Sequence, residues 1–236
     1  MHVLLWAALG IPCGAIANHL ADRLPRHQGL WPGPHCPACG APYRWQQWVS
    51  LLGWAGGDLR CHKCGAQLAG RRRLFEIWLA LLFAVLAWRH GFSWSLVVAS
   101  FHATVLSIVA VTDLETRIVP NLAILPAMIL SLSITAIACL PCARSMVLGG
   151  AFGFGLFFLL WALYPRGMGF GDVKLAGYVG LVAGFPKVLP CLLAAILAGG
   201  VTALVLLLTR QVGRRSYIPY APFLAFGGAL ALFLWP

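Results

Sequence analysis

Two aspartates beside long apolar segments are the residues best suited to chemistry in this sequence. Asp113 lies at the end of one apolar segment, and Asp172 lies at the beginning of another. Ionisable side chains at the ends of membrane segments are costly and are therefore functional candidates. Two carboxylates brought together can share a proton, so that one activates water while the other protonates a scissile carbonyl. The pair predicts hydrolytic catalysis.

Glycines precede the second aspartate. Gly169 and Gly171 carry no side chain, so we expect an extended substrate backbone to bind close to them.

Each aspartate also has a simpler explanation. Asp113 can pair with Arg117 one helical turn later, and Asp172 can cap a helix.

Four cysteines form two C-x-x-C pairs. Cys36 and Cys39 are followed, after 21 intervening residues, by Cys61 and Cys64, and a glycine follows each pair. This spacing is typical of a four-cysteine zinc site, and a site with four thiolates is closed and structural. Two disulfides are the alternative, which a reducing compartment disfavours.

The other four cysteines carry less information. Cys13 and Cys191 fall in apolar segments, where we expect small packing residues. Cys139 and Cys142 stand at the end of a predicted span, where an oxidising compartment would allow a disulfide or leave two free thiols.

Composition places these residues in a membrane protein. The chain has 236 residues, 61% hydrophobic and 10% charged, and its mean hydropathy is +0.85. A soluble domain needs more surface charge, and long apolar runs without strand-like alternation predict transmembrane helices. The first run lacks signal-peptide features, so we expect a retained span. The predicted fold is all-α, with about eight spans near 2–22, 74–89, 93–112, 121–139, 145–164, 172–185, 188–209 and 219–235.

The sixth span is the weakest of the eight. Its 14 residues reach about 21 Å, which is less than the ~30 Å hydrocarbon core. If Pro186 only kinks one longer helix, the count drops to seven. Arg210, Arg214 and Arg215 would then lie outside, which the positive-inside rule disfavours.

The basic residues predict the orientation of the chain. With eight spans, 14 of the 17 basic residues fall on one side, which the positive-inside rule makes cytoplasmic. Asp113 and Asp172 then share this face, and both termini lie outside. The net charge of +11 is thus a topology signal that requires no nucleic acid partner. The predicted domains are a first transmembrane helix (1–22), a cytoplasmic zinc-binding insertion (23–73) and a seven-helix membrane domain with the aspartates (74–236).

Several motifs, in this order, resemble the type IV prepilin peptidases, a family of intramembrane aspartyl proteases with a G-x-G-D motif. The resemblance extends from the first predicted span to the last and includes both cysteine pairs. The other matching segments are Cys13-Gly14-Ala15-Ile16-Ala17-Asn18, Arg23-Leu24-Pro25, Glu76, Asp113 with Ile118-Val119-Pro120-Asn121, Gly169-Phe170-Gly171-Asp172-Val173-Lys174, and Ile218-Pro219-Tyr220-Ala221-Pro222-Phe223.

The resemblance implies a protease of the bacterial inner membrane whose active site faces the cytoplasm. Members of the family cut the basic leader of prepilins, or of the pseudopilins of type II secretion, after a glycine. The implied catalytic residues are Asp113 and Asp172, and the four cysteines are the implied zinc ligands. The expected partners are these substrate proteins and membrane lipid.

The resemblance also implies a second activity. Many members methylate the new N-terminus with S-adenosylmethionine, and those with the cysteine tetrad are commonly bifunctional. Ala15 stands where the family usually has serine, and no glycine-rich nucleotide fingerprint follows a strand. Asn18, Arg23 and Glu76 either contribute to methylation or tie the first two spans to the insertion.

Two other functions remain open at this point. One is a G-x-G-D protease with another substrate and no methyltransferase activity. The other is a proton-coupled transporter, which predicts ionisable residues at mid-membrane and an internal repeat. His102 is the one candidate near mid-span, and the sequence shows no repeat.

Overall fold

The computed structural model of the chain describes residues 1–26, 29, 33–36, 38–57, 60–67, 70–165, 167–210 and 219–234. Arg214, Arg215 and Ile218, which are part of the sequence predictions, lie outside the described residues. Within these ranges the chain is helical, and the predicted all-α class is confirmed.

Eight helices of 14 or more residues and two short ones make up the described fold, together with a 3-10 turn at Leu24–Arg26. The short helices and the turn fall in the predicted insertion. The α-helices are α1 (His2–Arg23), α2 (Trp45–Trp48), α3 (Ser50–Ala55), α4 (Gly70–His90), α5 (Trp94–Thr116), α6 (Asn121–Ala138), α7 (Leu140–Leu163), α8 (Phe170–Ala183), α9 (Val188–Leu208) and α10 (Ala221–Leu234).

Five of these segments are long and apolar enough to cross a membrane: α1 with its 3-10 extension, α5, α6, α7 and α9. The other predicted spans correspond to α4, α8 and α10. Helices α8 and α10 have 14 residues each, and α4 carries three arginines in its first turn. The chain is therefore a membrane protein by length and composition, with five such helices in the part that the structure describes.

The chain forms two compact units, Met1–Thr104 (unit 1) and Val105–Pro236 (unit 2). The boundary falls inside α5. Unit 1 contains the cysteine pairs, and unit 2 contains Asp113 and Asp172.

In unit 1, α1 packs closely on α4. A Cβ atom on Gly10 would lie 2.6 Å from the Cα of Ala80, and one on Gly14 would lie 2.8 Å from the Cα of Glu76. Glycines four residues apart let two helix backbones approach closely, which is the device that membrane helices use for packing.

In unit 2, α8 is enclosed by other helices. It packs along α7 and also contacts α6, α9 and α10, and 11 of its 14 residues are buried. Gly149 and Gly153 of α7 again lie four residues apart, and a Cβ on either would collide with backbone atoms of α8, at Gly180 and Ala176. A helix surrounded by protein need not match the bilayer thickness, which explains how a 14-residue helix fits here.

The segment around Pro186 separates two helices. Helix α8 ends at Ala183, where Gly184 adopts a φ of 68° and donates its N–H to the carbonyl of Gly180. Helix α9 begins at Val188. The alternative of one long helix kinked at Pro186 is therefore not what the chain forms.

Candidate functional site

Asp172 lies in the first turn of α8 and is 3% exposed. Gly169 is the N-cap residue, with extended backbone angles, and its carbonyl accepts the N–H of Asp172 at 3.1 Å. The N–H of Gly169 in turn interacts with the Asp172 carboxyl, as expected for an acidic residue at the third helical position. The predicted capping role of Asp172 is therefore present.

Asp113 lies in the last turn of α5 and is 4% exposed. Its Oδ2 accepts a hydrogen bond of 3.1 Å from the backbone N–H of Ala221, the first residue of α10. The carboxyl also interacts electrostatically with Arg117, as the simpler explanation predicted. Arg117 has a φ of 56°, so the chain turns away immediately after α5.

Unit 2 brings the two aspartates together. The carboxyl of Asp172 lies within electrostatic reach of the Asp113 carboxyl, and both are buried. Capping and ion pairing explain each residue alone. They do not explain why two carboxylates are buried within electrostatic reach of each other, an arrangement that is costly and typical of catalytic pairs.

Contacts between neighbouring segments hold the pair in place. The side chain of Val119 fills the space at Gly171, where a Cβ would lie 2.9 Å from the Cβ of Val119. Lys174 of α8 donates to Oδ1 of Asn121, at the start of α6, at 3.0 Å. The segment after Asp113 is thus joined to the helix that begins beside Asp172.

The predicted glycines have different surroundings. Gly169 is the N-cap of α8, and the side of Gly171 that lacks a Cβ is occupied by Val119. The group that packs closely against Gly171 is therefore the side chain of Val119. Substrate binding at Gly169 and Gly171 stays a prediction.

Aromatic residues that the sequence analysis did not single out surround the start of α8. Phe170 packs edge-on against Trp161, with ring centroids 5.2 Å apart, and Lys174 lies 5.3 Å from the centroid of Phe170. Tyr220 packs against Phe157 at 6.0 Å and interacts electrostatically with Asp172. The sequence signals Phe170 and Tyr220 only as members of segments in the family resemblance, and it gives no signal for Phe157 or Trp161.

The four cysteines of unit 1 meet as predicted. Their sulfur atoms all lie within 4.8 Å of one another, and the pairs Cys36–Cys64 and Cys39–Cys61 are each 3.7 Å apart. A disulfide requires about 2.05 Å. Four thiolates around one tetrahedral metal, at ~2.3 Å each, would be separated by about 3.8 Å. The cluster fits a metal ion.

The two cysteine pairs share one backbone geometry. Gly40 and Gly65 donate to the carbonyls of Cys36 and Cys61, each at 2.8 Å, and adopt φ angles of 70° and 72°. A side chain is disfavoured at such angles, which accounts for the glycine after each pair. The N–H groups of Cys64 and then Lys63 interact with the Cys61 sulfur and lower its pKa to about 6. The pKa of the Cys64 thiol is raised to about 12 despite the N–H of Ala66, because the Cys39 sulfur and burial both oppose its ionisation.

Glu76 connects the insertion to α4. Its side chain is fully buried, and its two oxygens accept the N–H groups of Ser50 and Leu51 at 2.8 Å and 2.9 Å. These are the first two residues of α3, so the carboxylate of one helix caps another. Charge-assisted bonds at a helix N-terminus are favourable. These contacts support the interpretation in which Glu76 ties the first two spans to the insertion. The other interpretation was a contribution to methylation.

Asn18 and Arg23 belong to the same polar region. Asn18 donates to the carbonyl of Arg72 at 3.0 Å, and Arg23 bonds to Nδ1 of His35 at 3.0 Å and to the Gly29 carbonyl. Arg71 and Arg72 of α4 pair with Asp22 of α1. Oδ1 of Asn18 is buried without a hydrogen-bond partner in the described part of the chain.

Cys139 and Cys142 form a disulfide at the junction of α6 and α7. Cys13 and Cys191 are free thiols, as expected for packing residues. The bridge closes the first turn of α7, where Cys139 is the N-cap residue.

Two family models match the chain. Residues 100–204 match the type IV leader peptidase family, and residues 8–90 match the bacterial peptidase A24 N-terminal domain. The first range contains both aspartates, and the second contains all four clustered cysteines.

Curated relatives cover nearly all of the chain. A prepilin leader peptidase/N-methyltransferase of Pseudomonas aeruginosa is 27% identical, over 99% of this chain and 90% of the relative. Proteins with the same name from Bacillus subtilis (27% identical, 94% of this chain, 90% of the relative) and Xanthomonas campestris (29%, 96% and 89%) are similar to it as well. No solved structure matches the chain.

Proposed function

Because the chain belongs to the type IV leader peptidase family, we propose that it is a membrane aspartic endopeptidase that removes prepilin-type leaders. The observation that carries this proposal is the buried pair of Asp113 and Asp172 in unit 2. Both residues fall in the segments by which the chain resembles the family, and its curated relatives are named prepilin leader peptidases.

The proposed reaction uses one carboxylate as base and one carboxylic acid as acid. The base takes a proton from water, whose oxygen attacks the scissile carbonyl carbon, while the acid gives its proton to the carbonyl oxygen. When the tetrahedral intermediate collapses, the C–N bond breaks and the leaving amine takes the proton that the base had accepted. One hydroxyl of the intermediate returns its proton to the carboxylate that had acted as acid, which leaves the new carboxyl group on the product. The pair ends with one proton between two carboxyls, as it began.

Burial supports this mechanism. Asp113 and Asp172 are both withdrawn from water, so the charges of the transition state act in a medium of low dielectric constant.

Substrates of the proposed type have a basic leader, a glycine at the cleavage site and a hydrophobic helix after it. We propose that Gly169 and Gly171 lie along the bound peptide.

We further propose eight transmembrane spans in the bacterial inner membrane, with α4, α8 and α10 added to the five long apolar helices. The positive-inside rule then makes the insertion (23–73) and both aspartates cytoplasmic, between a first transmembrane helix (1–22) and the membrane domain (74–236). Helix α8 is enclosed by protein, which supports a span shorter than usual. This topology can be checked by placing a cysteine at Lys63, on the proposed cytoplasmic side, or at Lys187, on the proposed outer side. A membrane-impermeant thiol reagent added from outside should label only the cysteine at position 187.

Zinc is the metal we propose for the four cysteines. Tetrahedral thiolate sites select zinc or iron, and the separations of 3.7 Å fit a closed structural site. Zinc would be held by Cys36, Cys39, Cys61 and Cys64 and would fix the two knuckles to each other. It has no open position for substrate.

N-methylation of the cleaved product is the second activity that we propose. The relatives' names support it, and S-adenosylmethionine would supply the methyl group. Glu76 has both oxygens occupied by α3, so we assign it a positioning role, whereas Asn18 retains a buried oxygen for a further partner.

The test is cleavage of a purified prepilin by the chain in membranes, with the product read by mass spectrometry. We expect a new N-terminus directly after the glycine, carrying the mass of one methyl group when S-adenosylmethionine is added. A prepilin with a bulky residue in place of that glycine is the matched control and should remain uncut. Cleavage of both, or of neither, would contradict the proposed activity.

A further inference from the structure

The start of α10 offers one backbone donor, and that donor faces Asp113. Pro222 has no N–H, and the N–H of Phe223 donates to the carbonyl of Tyr220 at 3.1 Å. The N–H of Ala221 is not used within α10. It donates instead to Oδ2 of Asp113 at 3.1 Å, in a bond that is buried and spans 108 positions of sequence. In the sequence Tyr-Ala-Pro-Phe, the N–H of Ala221 is therefore the one that binds the Asp113 carboxylate.

The residue before Ala221 is held in place by its neighbours. The ring of Tyr220 packs against Phe157 of α7 and Phe223 of α10, each at 6.0 Å between centroids. It also fits against Gly199 of α9, where a Cβ would lie 2.7 Å from Cε2 of the ring. Three helices thus fix the chain at the point where α10 begins.

The same segment reaches the second aspartate. Tyr220 interacts electrostatically with Asp172, while Ala221 bonds to Asp113. Ala221 is fully buried, so water does not compete for its N–H. Tyr220, directly before α10, and Ala221, the first residue of α10, therefore interact with the two members of the pair.

We propose that Tyr220 and Ala221 form a positioning element for the catalytic pair. The Ala221 amide occupies Oδ2 of Asp113 and fixes the rotation of the carboxyl, so that Oδ1 remains for the proton that passes to the scissile carbonyl. A carboxyl free to rotate would spend only part of its time in the reactive geometry, and a misplacement of 1 Å can cost about 100-fold in rate. This inference rests on the proposed protease function.

Ala221→Pro tests the bond because it removes the donor at a helix position that accepts proline. Proline is favoured at the first position of a helix, where its fixed φ fits and its missing N–H is otherwise unpaired. We expect kcat for prepilin cleavage to fall about 10- to 100-fold while KM changes little. Ala221→Gly keeps the N–H and should give a kcat well above that of Ala221→Pro. Equal losses in the two variants, or a wild-type kcat in Ala221→Pro, would overturn the proposal.

A second pair of variants covers the case in which Ala221→Pro does not fold. Gly199→Ala places a methyl group against the ring of Tyr220, whereas Gly200→Ala points into open space. We expect a lower kcat in Gly199→Ala only, with zinc content and thermal unfolding close to wild type in both. Equal rates in the two alanine variants would contradict a role for the Tyr220 position.

Asp113→Asn separates this inference from the function on which it rests. If Asp113→Asn still cleaves prepilin, the aspartate mechanism itself is wrong. If Asp113→Asn is inactive while Ala221→Pro cleaves at the wild-type rate, the mechanism stands and only the positioning role fails.

Discussion

Units 1 and 2 begin from the same packing device and are then completed differently. Each joins two helices through glycines four residues apart, Gly10 and Gly14 in unit 1 and Gly149 and Gly153 in unit 2. Unit 1 adds charged bonds and a cysteine cluster. Unit 2 adds more close helix packing around α8 and buries two carboxyl groups that carry no salt bridge among the described residues.

The two units depend on different interactions for their stability. Helices in lipid gain little from the hydrophobic effect, so close packing of small residues supplies the stability of unit 2. The insertion of unit 1 is a small polar region with two short helices, and regions of that size need a metal or other cross-links to fold. Metal removal and charge removal should therefore perturb unit 1, and added volume should perturb unit 2.

Loss of the metal should have the largest effect. Structural zinc contributes about 10–16 kcal/mol to the folding of small zinc domains, so without it the insertion should unfold. We expect Cys36→Ser with Cys61→Ser to abolish zinc binding, measured by atomic emission. The same variant should expose residues 33–67 to limited proteolysis, while leaving prepilin cleavage by unit 2 in place.

The matched control for the metal is Cys13→Ser, a thiol outside the cluster. It should retain zinc and resist proteolysis. An insertion that stays protease-resistant without metal would show that zinc is not what holds unit 1 together.

Added volume between α7 and α8 should have the next largest effect. Gly153→Ala places a methyl group against the carbonyl of Ala176, and overpacking of this kind costs about 1–3 kcal/mol. We expect a lower melting temperature in detergent and slower cleavage, because α8 carries Asp172. Zinc content should not change.

Gly155→Ala on the same helix is the control, since its methyl group would meet nothing within 4 Å. Alanine is a better helix former than glycine by up to about 1 kcal/mol, so this variant should be neutral or slightly stabilising. Equal destabilisation by both substitutions would argue against close packing as the basis of unit 2.

Removal of the charge on Glu76 should have a smaller effect, confined to unit 1. Glu76→Gln keeps the shape but offers one acceptor where two N–H groups of α3 point, and an unpaired buried donor costs about 1–3 kcal/mol. Faster hydrogen exchange at Ser50 and Leu51 is the expected result. Glu115→Gln, at an exposed carboxylate, should leave that exchange unchanged.

The sequence predicted best those structural features whose residues lie close together in the chain. Each C-x-x-C-G knuckle is one short turn, so its spacing and its glycine indicate its geometry directly. The cap of α8 at Gly169 and the position of Asp172 are equally local. The all-α class and the family follow from hydropathy and from motifs of the same local kind.

Contacts between distant segments were not predictable from one sequence. The bond between Ala221 and Asp113 joins residues 108 positions apart, and Glu76 meets Ser50 across 26 positions. Hydropathy alone also misjudges α8, because it cannot tell a helix enclosed by protein from one that faces lipid. Helix periodicity does not tell which residues of α7 pack against which residues of α8. The sequence therefore could not predict that Gly149 and Gly153 pack against Gly180 and Ala176.

Asp113 and Asp172 are proposed to act as one catalytic unit, which can be measured by single-turnover cleavage with Asp113→Asn, Asp172→Asn and the double variant. Residues that act as a unit are not additive, so each single variant should lose at least about 10³-fold in rate and the double variant no more. Glu115→Gln, two residues from Asp113, should cleave at the wild-type rate. Cleavage that persists in either single variant, or losses that multiply in the double variant, would contradict a shared catalytic pair.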